Sequence, residues 1–108
     1  MSRLFLVEYQ TKIVGNAHLK DFPPNGLCLE GQTLRVGRST VRDDVTIITG
    51  HHNQFFELRI TAGGWCLWTT AVNPVLLNNT PVATGKEHPL RDGDSIGTAG
   101  TIFQYRDS

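Results

Sequence analysis

Residues 54–69 read QFFELRITAGGWCLWT, and they carry the clearest indication of the fold. In FELRI (56–60), apolar and charged side chains alternate, which is typical of a β-strand with one buried face. WCLW (65–68) is a second run of strand-forming residues, and AGG (62–64) between the two has the composition of a hairpin loop. The stretch predicts a β-hairpin. Trp65 and Trp68 should face opposite sides of it, one of them in the core, because an odd number of residues separates them.

Short runs of β-branched, aromatic and aliphatic residues recur along the rest of the chain. Turn-forming residues separate these runs, as in PPNG (23–26) and DG (92–93). In such turns proline fixes φ, and glycine or asparagine accepts positive φ. LLNNTPV (76–82) predicts a second hairpin, and residues 10–25 are the least strand-like. We predict strands at residues 3–9, 26–30, 33–37, 45–48, 54–61, 65–69, 75–77 and 101–106. This pattern indicates an all-β protein, a sandwich or barrel of antiparallel strands.

Composition favours one compact domain over residues 1–108, with 39% apolar and 19% charged residues. Ten basic residues balance ten acidic ones. No overall field therefore favours nucleic acid or an anionic membrane, and a small nucleic-acid-binding barrel is the weakest interpretation. Cys28 and Cys66 have apolar neighbours in the sequence, and we expect both to remain thiols. We expect a cytoplasmic protein without a signal peptide or membrane insertion, since no apolar run is long enough for either.

Four features follow one another in an order typical of a known family. They are Gly37-Arg38 at the end of a predicted strand, Thr49 followed by His52 and Phe55, Asn73 in a turn, and LRDGD at 90–94. Together they resemble a forkhead-associated (FHA) domain over about residues 27–106. The resemblance implies an antiparallel β-sandwich of the FHA/SMAD-like type whose apical loops bind phosphothreonine peptides.

The resemblance also implies roles for particular residues. A phosphothreonine carries nearly two negative charges, so its reader needs a cation and converging donors. Arg38 would bind the phosphate bidentately, Thr49 and Ser39 would donate hydroxyls, and the Gly50 amide would donate beside them. Asn73 would hold the peptide backbone or order the loops.

Gly37 and His52 would support the site structurally. Each binding role has a structural alternative. Arg38 would instead form a surface ion pair with Asp43 or Asp44, Ser39 and Thr49 would cap turns, and Asn73 would only order its own loop.

Two departures from the family pattern favour a second function. Pro74 stands where the family has glycine, which restricts the loop at Asn73, and Gly50 stands where a basic residue is frequent. The second function is a phosphate-independent scaffold of the same fold, for example in a bacterial secretion system.

Enzymatic chemistry is not expected, because the chain has no glycine-flanked nucleophile, paired-carboxylate pocket or phosphate-binding loop. His51 and His52 would diverge on a strand, which argues against a shared metal, and DGD (92–94) lacks the later ligands of a calcium loop. We therefore expect no metal and no cofactor. The expected partner is a phosphorylated protein or peptide, either a kinase substrate or a protein of a secretion machinery, and not nucleic acid.

Overall fold

The computed structural model describes residues 2–9, 22–37, 44–47, 54–70, 75–98 and 100–107. Within these residues the chain forms eleven strands. None of the described segments is a helix with the length and apolar character needed to cross a membrane. The strands are β1 Ser2–Glu8, β2 Leu27–Cys28, β3 Leu34–Gly37, β4 Val45–Thr46, β5 Gln54–Thr61, β6 Gly64–Trp68, β7 Leu76–Leu77, β8 Thr80–Pro81, β9 His88–Pro89, β10 Ser95–Thr98 and β11 Thr101–Asp107.

These strands form two sheets that pack face to face, which confirms the predicted all-β sandwich. The six-stranded sheet has the order β2-β1-β11-β10-β7-β8, and the five-stranded sheet has the order β4-β3-β5-β6-β9. The described pairs are antiparallel with one exception, since β3 and β4 run parallel. The parallel pair was not predicted, because two residues of strand carry no signal of direction.

The hairpin predicted from residues 54–69 is present. β5 pairs with β6, and the ladder ends with Thr61 opposite Gly64. Phe56 and Leu58 face the other sheet and are completely buried. Trp65 is buried in the same core, whereas Trp68 is half-buried on the outer face, so the two indoles do point to opposite sides.

The core lies between the sheets and centres on aromatic side chains. Phe103 of the six-stranded sheet meets Phe56 of the five-stranded sheet edge to face, with ring centroids 5.9 Å apart. Phe22 packs against the same ring at 5.8 Å. Full burial of a Leu, Ile or Phe side chain contributes about 1.5–3 kcal/mol. Apolar side chains exposed by 1% or less are Leu4, Val36, Ile47, Phe55, Phe56, Leu58, Leu67, Val75, Ile96 and Phe103.

Asp94 joins two neighbouring turns. Its Oδ2 accepts a hydrogen bond from the Arg91 amide at 2.8 Å, and its Oδ1 accepts one from Asn78 Nδ2 at 3.0 Å. The Asn78 side chain also accepts a hydrogen bond from the Ser95 amide at 2.9 Å. Asn78 and Asn79 adopt positive φ of 52° and 67°, which is the backbone of a tight hairpin turn. The final aspartate of LRDGD therefore fastens the β7–β8 turn to the start of β10.

The ends of β1 and β11 are tied by side chains as well as by the ladder. The Ser2 hydroxyl donates to Asp107 Oδ1 at 3.1 Å and shares a hydrogen bond of 3.0 Å with the Tyr105 hydroxyl. Burial, reinforced by the negative charges of Asp107 and Asp92, raises the pKa of Tyr105 above its ordinary value of 10.0. The phenol therefore stays protonated in the folded protein under conditions in which it ionises in the unfolded chain.

We expect the free energy of unfolding to fall as the pH rises above about 10, because above that value only the unfolded state loses the Tyr105 proton. Tyr105→Phe should remove this part of the pH dependence. The measurement is urea unfolding of both proteins across the alkaline range. Identical alkaline slopes for the two proteins would contradict the assignment.

Gly26 is required by both its backbone and its neighbour. Its φ is +88°, and a Cβ at this position would lie 2.9 Å from Cζ of Phe5. Gly31 has a similar φ of +79° but has no atom within 4 Å of its Cβ position. A comparison of Gly26 with Gly31 therefore separates the cost of backbone strain from the cost of overlap with Phe5.

Gly31→Ala should cost about 1 kcal/mol of unfolding free energy through strain alone, and Gly26→Ala about 2–3 kcal/mol, since Phe5 must also move. Urea unfolding of both variants measures the difference. Equal losses would mean that the Phe5 contact does not restrict residue 26.

Candidate functional site

The residues predicted to bind a phosphopeptide lie outside the described residues. This applies to Arg38, Ser39, Thr49, Gly50 and Asn73. It also applies to His52 and Pro74, whereas Gly37 is described. The described residues that flank these positions define where the three segments 38–43, 48–53 and 71–74 begin and end.

Gly37 contacts the described residues on both sides of segment 48–53. It is buried at the end of β3, and its backbone pairs with Gln54, the first residue of β5, across an irregularity in the ladder. Its carbonyl accepts a hydrogen bond from the Ile47 amide at 2.7 Å. Gly37, Ile47 and Gln54 therefore lie side by side. Gly37 precedes Arg38, and Ile47 and Gln54 flank segment 48–53.

The third segment starts from the same end of the sheet. Thr69, which follows β6, is almost fully buried, and its hydroxyl donates a hydrogen bond to the Phe55 carbonyl. Its own carbonyl accepts a hydrogen bond from the Gly85 amide at 2.8 Å. Because Phe55 is the second residue of β5, Thr69 lies at the same end of the sheet as Gly37. We call this end of the five-stranded sheet, marked by Gly37, Ile47, Gln54 and Thr69, the apical end.

One predicted alternative involved Asp44, at the edge of the same sheet. Its Oδ2 accepts a hydrogen bond from the Arg35 amide at 2.8 Å, and its own amide donates to the Arg35 carbonyl at 2.9 Å. Asp44 directly precedes β4, so its two hydrogen bonds with Arg35 fasten the start of β4 to β3. The sequence did not predict this role, because it depends on the parallel pairing of the two strands.

A group of polar residues on the outer face of the five-stranded sheet was not predicted from the sequence. Arg35, Glu57 and Trp68 lie side by side on β3, β5 and β6, and Arg59 is two residues further along β5. The Glu57 carboxylate is 2.9 Å from Arg59 Nε and 3.6 Å from Arg35 Nε. We call Arg35, Glu57, Arg59 and Trp68 the outer-face cluster. Its signal in the sequence is the alternation in FELRI, which places Glu57 and Arg59 on one side.

Glu57 is a buried carboxylate, only 8% exposed. Removing a carboxylate from water is unfavourable unless it is paired and hydrogen-bonded, and the two arginines provide that compensation. The Arg59 guanidinium also stacks on the Trp68 ring, 3.7 Å from the ring centroid. The cluster is therefore ordered by an ion pair and a cation–π contact together.

Among the described residues, no group of three or more His, Cys, Asp and Glu side chains is arranged to hold a metal ion. Cys28 and Cys66 are not joined in a disulfide. His88 Nε2 lies 2.9 Å from the Ala83 carbonyl, a hydrogen bond that orders the approach to β9.

Thr69→Val tests how far the apical end depends on the contact between Thr69 and Phe55. Valine has the same shape but leaves the Phe55 carbonyl without this donor. We expect a loss of about 1–3 kcal/mol in unfolding free energy, measured by urea denaturation. The exposed neighbour Thr70 provides the control, because Thr70→Val should change stability by less than about 0.5 kcal/mol. If the two variants lost equal stability, the hydrogen bond would not hold the apical end.

Neither a protein-family model nor a curated protein matches the sequence. Solved structures do match its fold. The solution structure of the FHA domain of an Arabidopsis thaliana hypothetical protein has a TM-score of 0.76, with 23% identity, over 97% of this chain and 83% of that chain. A structure from an analysis of phosphothreonine-dependent FHA domain interactions has a TM-score of 0.70, with 21% identity, over 99% of this chain and 96% of that one.

The crystal structure of the FhaA FHA domain complexed with the intracellular domain of Rv3910 is also similar. Its TM-score is 0.69, with 20% identity, over 98% of this chain and 100% of that chain. These superpositions confirm, at the level of the fold, the resemblance inferred from the sequence. This chain adopts the fold of the forkhead-associated domains.

Proposed function

We propose that this chain is a protein–protein interaction module that recognises phosphothreonine-containing peptides through the loops of its apical end. Its fold supports the proposal, since one structural neighbour comes from work on phosphothreonine-dependent FHA domain interactions and another is complexed with the intracellular domain of a protein. The function is recognition rather than catalysis, and it needs no cofactor.

The observation that carries the proposal is that the described residues flanking three chain segments lie together at one end of a sheet. Arg38 directly follows Gly37, and Thr49 and Gly50 belong to the segment between Ile47 and Gln54. Asn73 belongs to the segment between Thr70 and Val75, next to the Thr69 anchor. The described neighbours of these residues thus lie at one end of the sheet although they are far apart in sequence, which supports a site for a single anionic group there.

The residue types suit a phosphate. Arg38 supplies a permanent charge and a planar fork that matches two phosphate oxygens. Thr49 and Ser39 supply hydroxyl donors, Gly50 supplies an accessible amide, and Asn73 both donates to and accepts from a peptide backbone. With zero formal net charge, the attraction for an anion is local to these residues.

The partner under this proposal is a phosphorylated protein of the cytoplasm, a kinase substrate or a protein of a secretion machinery. The second candidate function is a phosphate-independent scaffold, favoured by Pro74 after Asn73 and by Gly50 in place of a basic residue. The proline would restrict the apical loop at Asn73, and the glycine would leave its loop without a positive charge.

Peptide binding distinguishes the two functions. We expect fluorescence anisotropy to detect binding of a degenerate phosphothreonine peptide library, with weaker binding of the phosphoserine library and none of the unphosphorylated one. Arg38→Ala should lower the affinity by roughly 30-fold or more, which corresponds to about 2 kcal/mol for a lost charge-assisted contact.

Arg106→Ala is the matched control, because Arg106 lies near the end of β11 in an exposed ion pair with Asp92, 3.5 Å long. Its affinity should equal that of the unchanged protein. Equal binding of phosphorylated and unphosphorylated libraries, or no binding of any library, would favour the scaffold.

A further inference from the structure

Arg59 is held from two directions. Its Nε donates to Glu57 Oε2 at 2.9 Å, and the flat guanidinium lies 3.7 Å from the centroid of the Trp68 ring. A side chain held in this way loses little further rotamer freedom when it binds a partner, so less entropy opposes the contact. Arg59 is therefore preorganised in the unbound protein.

The rest of the guanidinium is available for a ligand. An arginine has five N–H donors, and among the described residues only the Nε of Arg59 donates a hydrogen bond to protein. The Arg59 side chain is 34% exposed. Its other nitrogens therefore present a row of donors in the geometry that a carboxylate matches.

The charges of the outer-face cluster favour an anion. Two guanidinium groups, those of Arg35 and Arg59, face the single carboxylate of Glu57. Trp68 provides an apolar surface beside them, and arginine and tryptophan are the residue types that dominate binding energy at protein interfaces. Such a surface is complementary to a carboxylate on a peptide chain.

We propose that the outer-face cluster is a second docking surface, which binds an acidic segment of a partner protein through a carboxylate on Arg59, with Arg35 adding positive charge. This contact uses none of the apical residues and needs no phosphate. Nucleic acid is the less suitable occupant, because Arg59 already covers a face of the Trp68 ring on which a base would stack and the chain has no net positive charge.

The test is a nitrogen-15 NMR titration with hexaglutamate, with hexaglutamine as the uncharged match and oligothymidylate as the nucleic-acid probe. Hexaglutamate should shift the Trp68 indole N–H and the Arg59 Nε–H, while the indole signal of the buried Trp65 stays in place. The shifts should shrink as salt is added, because the attraction is electrostatic and exposed. Hexaglutamine and oligothymidylate should leave these signals unchanged.

Arg59→Gln should weaken hexaglutamate binding about fivefold, as expected for a contact of an exposed charge. Arg106→Gln is the matched control, because Arg106 also pairs with a carboxylate through Nε but is remote from the cluster, and it should bind as the unchanged protein does. If the loss of the Glu57 contact unfolds Arg59→Gln, Arg59→Lys retains the charge without the planar fork and should still bind more weakly. The proposal is overturned if binding survives these Arg59 changes, or if hexaglutamine or oligothymidylate shifts the same signals equally.

Discussion

The pairing of β1 with β11 holds the six-stranded sheet together. Among the described strands, β2 joins that sheet only through β1, and β10, β7 and β8 join it only through β11. In this ladder Ser2 lies opposite Asp107, so the six-stranded sheet is complete only when the two ends of the described chain pair with each other. Contacts between residues so far apart in sequence form late, because the entropy of loop closure opposes them. This pairing also carries Leu4, Phe103 and Tyr105 into the core.

The sequence predicts local features well. Alternation in residues 56–60, the Gly63-Gly64 loop and the paired asparagines at 78–79 each have a local physical cause, and the structure contains all three. β9 and β10 were missed for equally physical reasons. β9 is a two-residue edge strand that contains Pro89, and β10 contains Gly97, a residue that weakens strand propensity. Gly97 pairs with Leu76 on one side and Ile102 on the other, so ladder contacts on both sides hold this residue in the strand.

For the candidate site, the sequence predicts residue types but no arrangement. Arg38, Thr49 and Asn73 were selected for chemistry and for a family resemblance, which say nothing about distance. The described residues beside them lie at one end of the sheet because of the order β4-β3-β5-β6 and of the Gly37 and Thr69 contacts, which connect residues on different strands. The outer-face cluster was missed because alternation places Glu57 and Arg59 on one side without revealing that Arg35 and Trp68 flank them.

The antiparallel register of β1 and β11 also has a mechanical consequence. Because Ser2 and Asp107 are opposite each other, tension applied to the two ends pulls the ladder open from one side. Its hydrogen bonds then break in succession, and each step requires less force than shearing all of them at once. Forced unfolding is governed by the unfolding rate. Because bonds that break one at a time oppose unfolding less, a domain pulled in this geometry unfolds at low force. The ladder that completes the sandwich is its mechanical weak point under load.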